Sequence, residues 1–206
     1  MPRQADPQSV LDPASLAAEL AAAPPSCGPV RLVAVDGHAG SGKTTFAAVL
    51  AEQLDGAPVL HLDDFATHGS FFGWTGRLTE QVLLPLAGGR PARYVPYDWT
   101  RGAFPPDADT AAVVPAAPVV LIEGVGAGRR ALRPHLARVL WMDVAPAEAW
   151  GRGRRRDGTR LSGFWDAWTC AETTHFAEDP SYSYANYLVR RGAQGYEVRR
   201  GPRRHG

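Results

Sequence analysis

The segment Val30–Phe46, VRLVAVDGHAGSGKTTF, constrains this chain more than any other stretch. Five of the six residues Val30–Val35 are apolar, the mark of a strand covered on both faces. Gly37-His38-Ala39-Gly40-Ser41-Gly42-Lys43-Thr44 then satisfies G-x-x-x-x-G-K-[ST] at every fixed position. From Thr45 to Ala51 the pattern is helical, with Phe46, Val49 and Leu50 turned inward. Glycines at Gly37, Gly40 and Gly42 let backbone N–H groups converge on a phosphate with no Cβ in the way, and Ser41 and Thr45 complete the loop. The helix start adds partial positive charge, Lys43 reaches the β/γ-phosphates and the Thr44 hydroxyl suits Mg²⁺. A glycine-rich turn matching by chance would lack the strand before and the helix after. The expectation is a bound nucleoside triphosphate.

The rest of the chain narrows the class. At 206 residues there is length for one domain with a substantial core. A net charge of +1 gives no reason to expect bulk attraction to nucleic acid or to a membrane. No apolar run approaches the length of a membrane span, and MPRQADPQ lacks the apolar core of a signal peptide. Cys27 and Cys170 have no metal-ligand spacing, so a reduced, cytoplasmic compartment is expected. A homo-oligomer is compatible with the sequence, which does not fix the oligomeric state.

Asp12-Pro13 reads as a helix start, with an Ala/Leu run to Ala23 and Pro24-Pro25 as its stop. This helix either covers a sheet edge or meets a partner subunit. Pro58–Leu62 forms a second strand ending in Asp63-Asp64-Phe65, which puts carboxylates where open α/β sheets place their ligands. A long excursion follows, Ala66 to Pro118, with a helix near Arg77–Leu86 and a clustering of aromatics and arginines that suits a substrate flap. Pro118–Glu123 and Val139–Val144 are the third and fourth strands, and Tyr184–Val189 is a fifth, followed by the loop Arg190-Arg191-Gly192. Leu161–Ala177 is an amphipathic helix with Phe164, Trp165, Trp168 and Phe176 available for burial. Alternating strands and helices imply an α/β fold, a parallel sheet with helices on both faces. Val198–Gly206 reads as a basic, mobile tail.

Four segments in this order resemble the uridine kinase-like P-loop kinases, whose relatives include nicotinamide riboside kinases, pantothenate kinases and phosphoribulokinases. They are Gly37–Thr44, Asp63-Asp64-Phe65, Tyr97-Asp98-Trp99 and Leu121-Ile122-Glu123-Gly124, and the arginine-rich run before Asp157-Gly158 matches the family's lid. The resemblance implies a P-loop NTPase three-layer sandwich with a five-stranded parallel sheet, order 2-3-1-4-5, and the P-loop strand central. It implies residues 1–29 as an N-terminal extension, 30–198 as the kinase domain with an acceptor-binding insertion at 66–117 and a lid at 151–162, and 199–206 as a basic tail. It implies ATP with Mg²⁺ as cofactors and a small-molecule hydroxyl acceptor, a nucleoside first. The chain departs from true uridine kinases in two places. Asp63-Asp64-Phe65-Ala66 stands where they have Asp-Ser-Phe-Tyr, and Phe72–Arg77 carries no acid where they supply one for the ribose hydroxyls. Phosphoryl transfer is therefore better supported than uridine as acceptor. A pantothenate-like, nicotinamide riboside or antibiotic-type alcohol is the alternative within this class.

The resemblance distributes roles residue by residue. Asp63 is the candidate base beside the acceptor hydroxyl, or else a metal ligand or loop cap. Asp64 is either its partner or a turn cap. Glu123 would hold Mg²⁺ together with Thr44 and Asp63, or form a salt bridge to a lid arginine. Among Arg152, Arg154, Arg155 and Arg156, the spacing to Arg-Asp-Gly selects Arg152 and Arg156, with Lys43, to stabilise the transferred phosphoryl group. Tyr97 and Asp98 match the family's acceptor-site pair, and Trp74, Trp99 and Arg101 would join them at the acceptor, with burial in the core the alternative for the two tryptophans. His38 occupies a variable loop position, and His61, His68, His135 and His175 show no metal-type pairing. A different class, a regulatory nucleotide switch or ATPase, is disfavoured because no Asn-Lys-x-Asp motif is present and Leu161-Ser162-Gly163 is not followed by Gly-Gln.

Overall fold

The computed structural model describes residues 10–106 and 110–202. Helix α1, Pro13–Ala21, begins as its sequence requires: the Asp12 carboxylate accepts the Ser15 N–H at 2.7 Å and Pro13 occupies the first turn. Strand β1, Arg31–Asp36, feeds the glycine loop and helix α2, Lys43–Gln53. Strand β2, Val59–His61, runs into a short 3₁₀ turn, Leu62–Asp64. Helix α3 spans residues 75–87. It widens to π geometry over Thr79–Leu83, just ahead of Pro85, which has no N–H to give the Gln81 carbonyl. Strands β3, Ala92–Tyr94, and β4, Ala112–Val114, pair as a separate antiparallel ribbon. The main sheet resumes with β5, Val119–Glu123, and β6, Leu136–Met142. Helices α4, Pro146–Asp157, and α5, Ser162–Glu178, precede β7, Tyr187–Gly192, and β8, Gly195–Arg200.

The sheet order is β2-β5-β1-β6-β7-β8, with the first five strands parallel and β8 antiparallel to β7. The expected order 2-3-1-4-5 is present, with β1 central. The correction is a sixth strand. Arg190-Arg191-Gly192, expected as a loop, belongs to β7, and Val198–Arg200, expected in a tail, belongs to β8. Gly192 pairs with Gly195 across a two-residue turn, and only Val198 of the returning strand is fully buried. Charged residues on its outer face hid that alternation. Arg203 and Arg204 lie outside the described residues.

Alternation along the strands divides the core. Leu32, Ala34, Val120, Ile122, Val139 and Trp141 face one layer, which α3 and the ribbon cover. Val33, Val35, Leu121, Leu140, Met142 and Val189 face the layer formed by α1 and α2. The α1 helix is thus part of the domain: Leu16 and Leu20 are fully buried, each worth about 1.5–3 kcal/mol. Glu19 accepts two hydrogen bonds from the Arg200 guanidinium, at 2.7 Å each, and one from the Tyr187 hydroxyl at 2.5 Å. Leu11 pairs with Val198 through backbone hydrogen bonds of 2.8 and 3.0 Å. Cys27 is buried and Cys170 exposed, both as free thiols. Among the described residues no helix is long and apolar enough to cross a membrane.

Candidate functional site

The glycine loop lies at the C-terminal edge of the sheet and is held from three sides. Asp36, the last residue of β1, is fully buried; its Oδ1 accepts the N–H groups of Gly37 at 2.7 Å and Gly126 at 2.8 Å, and its Oδ2 accepts that of Gly128 at 2.8 Å. The same carboxylate therefore fixes the start of the loop and the turn after β5. Lys43 is buried and its Nζ donates to the carbonyls of Gly37 at 3.1 Å and His38 at 3.0 Å, spanning the loop mouth. Gly40 has φ +81°, and a Cβ there would stand 2.1 Å from the Ala149 carbonyl, so α4 seats directly on the loop.

The third support is Glu172 of α5, which the sequence reading did not single out. It is fully buried yet accepts four hydrogen bonds: from the Ala39 N–H at 3.1 Å, Trp150 Nε1 at 2.9 Å and Trp168 Nε1 at 2.7 Å, with His38 Nδ1 at 2.7 Å. Burial pushes its pKa up, and these donors outweigh burial, so the carboxyl is held below its ordinary value. One side chain ties loop, α4 and α5 together. An acid on the apolar face of α5 was the available signal.

Glu123 ends β5 in register with Val35 of β1 and His61 of β2. Its Oε1 accepts the Thr44 hydroxyl at 3.0 Å and lies 2.6 Å from His61 Nδ1. The hydrogen bond to Glu123 raises the His61 pKa, with burial opposing. A salt bridge from Glu123 to a lid arginine, the alternative expected from sequence, is replaced by this His61 pairing. Asp63 stands at the foot of the cleft, where its side chain remains open to solvent between close walls. Desolvation raises its pKa, Lys43 opposes that shift, and Glu123 and Asp64 reinforce it. Asp64 turns away: its Oδ2 accepts the Tyr94 hydroxyl at 2.8 Å, anchoring the ribbon.

Lys43, Thr44, Asp63, Glu123 and Arg156 surround one cavity of about 180 Å³. Its oxygen donors are a hydroxyl and two carboxylates, a hard set that fits Mg²⁺ when phosphate oxygens and water complete the octahedron. Among the described residues no cluster of His, Cys, Asp and Glu would hold a metal on its own. The glycine loop, with Lys43 at its mouth, likewise fits a triphosphate.

The arginines expected in a lid loop are instead on α4 itself, because the helix continues to Asp157 before Gly158 ends it. Arg156 and Asp157 form a two-pronged pair at 2.6 and 3.0 Å, which lowers the Asp157 pKa and raises that of Arg156. Arg156 borders both the small cavity and a larger one. Arg152 pairs with Glu148 and faces elsewhere, into a cavity of about 400 Å³ shared with Arg190, Arg191 and Tyr196. The two arginines grouped in sequence thus serve opposite sides of the loop. Arg154 is occupied by Asp166 at 2.7 Å.

The larger cavity, about 520 Å³, adjoins Asp63 and is walled by Trp99, Phe164, Trp165 and Trp168, with His68 and Thr100 also on its lining. The residues expected to touch an acceptor are placed differently. Trp74 is 3% exposed in the core, with the Arg129 guanidinium 4.1 Å above its ring. Tyr97 is buried and its hydroxyl lies 2.9 Å from His68 Nδ1. Asp98 caps its own turn, its Oδ1 accepting the N–H groups of Thr100 and Arg101 at 2.9 Å each. Arg101 is exposed and 3.6 Å from Asp98. That turn delivers Trp99, the other expected tryptophan, to the cavity, its Nε1 donating to the Asp63 carbonyl at 3.0 Å. Phe164, Trp165 and Trp168, expected from the sequence as buried residues of an amphipathic helix, form the rest of this wall.

No family model matches this chain, and no curated protein matches its sequence. Solved structures do match. A protein from Bacillus stearothermophilus described as a possible uridine kinase superposes with a TM-score of 0.60 at 19% identity, covering 86% of this chain and 97% of its own. A protein from Silicibacter sp. TM1040, provisionally described as a fructose transport system kinase, gives 0.52 at 22% identity, covering 80% and 89%. The chain has the fold of these P-loop kinase neighbours, with β8 as a further strand in its own sheet.

Proposed function

We propose that the protein is a Mg²⁺-dependent kinase that moves the γ-phosphoryl group of ATP to a hydroxyl of a small metabolite. The observation that carries this reading is that Asp63 lines two cavities, which also share Arg156, Trp165 and Trp168. One is bounded by Lys43, Thr44 and Glu123, and the other is a ring-lined cavity large enough for a metabolite. A regulatory ATPase has no use for that second space.

The glycine loop holds the β- and γ-phosphates and Lys43 neutralises their charge. Thr44 and Glu123 would hold Mg²⁺, which when bound supplies charge neutralisation on the phosphates. His61 shares Glu123 Oε1, so metal binding would loosen that pair. Arg156 reaches the transfer side from α4 and stabilises charge on the moving phosphoryl group. Asp63 accepts the hydroxyl proton; burial raises its pKa, which makes its carboxylate form a stronger proton acceptor. Arg152, Arg190, Arg191 and Tyr196 border the space on the far side of the loop, suited to the nucleoside half of ATP. The preference for ATP over GTP rests on the family resemblance.

A nucleoside acceptor was the first expectation. Phe72–Arg77 carries no acid for ribose hydroxyls, and Asp98, matched with Tyr97 to the family's acceptor-site pair, spends its Oδ1 on its own turn, so the reading stops here at a small alcohol. The test is ADP release by the full chain with Mg·ATP across nucleosides, vitamin precursors, sugar alcohols and amino alcohols. Stimulation by one class supports a kinase; a constant rate with every acceptor would support a regulatory ATPase.

A further inference from the structure

We infer that the acceptor is an alcohol with a positively charged head group, seated on the faces of Trp99, Phe164 and Trp168 with its hydroxyl toward Asp63. This rests on the phosphoryl-transfer reading and names the substrate class of that same site.

The walls form a corner. Trp99 and Phe164 meet nearly at right angles, 85°, with centroids 5.9 Å apart, and Phe164 and Trp168 lie 27° from parallel at 5.9 Å. Aromatic walls suit many ligands, so the polar groups decide. Each indole N–H at the cavity is already committed: Trp99 to the Asp63 carbonyl, Trp165 to Asp157 at 3.2 Å, and Trp168 to Glu172. These rings therefore turn π surface to the ligand and offer it no donor. The carbonyls of a neutral pyrimidine would lose hydration against these rings, and only His68, Thr100 and Arg156 on the lining could donate in its place.

Charge points the same way. The cavity lining carries two carboxyl groups, Asp63 and Asp157, against one guanidinium, Arg156. Arg156 already pairs with Asp157 and borders the phosphate cavity as well. Negative charge near electron-rich ring faces favours a cation, by a margin of roughly tenfold per desolvated contact. Asp63 then has two parts: its charge attracts the head group into the cleft and its oxygen accepts the hydroxyl proton.

The experiment uses two pairs of alcohols matched in shape and differing in charge. They are choline against 3,3-dimethylbutan-1-ol, and N-(2-hydroxyethyl)pyridinium against 2-phenylethanol, with uridine and cytidine as neutral nucleosides. With the full chain and Mg·ATP, kcat/KM for the cation of at least one pair should exceed that of its neutral partner and of the nucleosides about tenfold or more. Trp99→Leu and Phe164→Leu should each erode that ratio at least about threefold. A merely structural loss would lower both members of the pair together and leave the ratio intact. Equal or better use of the neutral partner, preference for uridine or cytidine, or no use of either cation by a chain that binds Mg·ATP, overturns the inference. Failure to bind Mg·ATP overturns the phosphoryl-transfer reading beneath it.

Discussion

The phosphate loop and the cavity beside it are built in opposite ways. The loop is eight consecutive residues, Gly37–Thr44, braced by Asp36, Glu172 and the backbone of α4. The cavity is assembled from side chains far apart in the chain: Asp63 after β2, Trp99 in the insertion, Arg156 at the end of α4, and Phe164 and Trp168 on α5. A contiguous loop fixes its ligand by backbone geometry, which tolerates little change. An assembled cavity fixes its ligand by side chains, each replaceable alone. Chemistry common to many acceptors therefore belongs to the first, and choice among acceptors to the second.

The largest expected effects test the meeting point of the two regions. Lys43→Ala and Asp63→Asn should each lower phosphoryl transfer by roughly 1,000-fold, with Asp63→Asn keeping Mg·ATP affinity within about threefold in a calorimetric titration. Transfer within a few-fold of normal in Asp63→Asn would remove the assigned base. In the unaltered enzyme the acid limb of kcat/KM should lie above pH 3.8, the ordinary value of an aspartate, because the Asp63 pKa is raised.

Next in size are changes that ought to separate the regions. Glu172→Ala leaves three side-chain donors facing a buried gap, and should cost about 3 kcal/mol in urea unfolding and weaken ATP binding. A cost under about 1 kcal/mol would mean that this carboxylate does not brace the loop. Phe164→Ala should raise the acceptor KM about tenfold with the ATP dissociation constant unchanged. Equal losses in both would erase the distinction drawn between loop and cavity.

The smallest effect concerns His61 in the nucleotide-free protein. Its folded-state pKa lies above 6.5, so the pairing with Glu123 stabilises fully below pH 6.5 and fades as pH rises through the raised value. The stability difference between the unaltered chain and His61→Gln should be greatest in acid and shrink toward alkaline pH. Because the His61 side chain is 43% exposed, it should stay near or below about 1 kcal/mol. A difference that grows with pH has the wrong sign and would break the assignment.

What the sequence disclosed follows the same division. Short-range patterns, the loop, the apolar strands and the Asp12 cap, are carried by neighbouring residues, and they read correctly. The positions of Asp63 and Glu123 were legible because Asp63 follows β2 directly and Glu123 ends β5, at the edge where such sheets bind ligands. The acceptor wall was legible only in part: Trp74 and Trp99 have similar surroundings in sequence, and only the turn capped by Asp98 separates a core ring from a cavity ring. Glu172 was equally hidden, since its four partners come from three elements. Strand β8 went unread because its arginines resemble a solvated tail until Glu19 is placed opposite Arg200.

The backbone pairing of Leu11 with Val198 brings the opening and closing stretches of the described chain to one corner of the molecule. Deleting the first twenty-odd residues as a dispensable leader would strip the cover from Tyr187 and Val198 and leave a bare sheet margin free to recruit a neighbouring molecule.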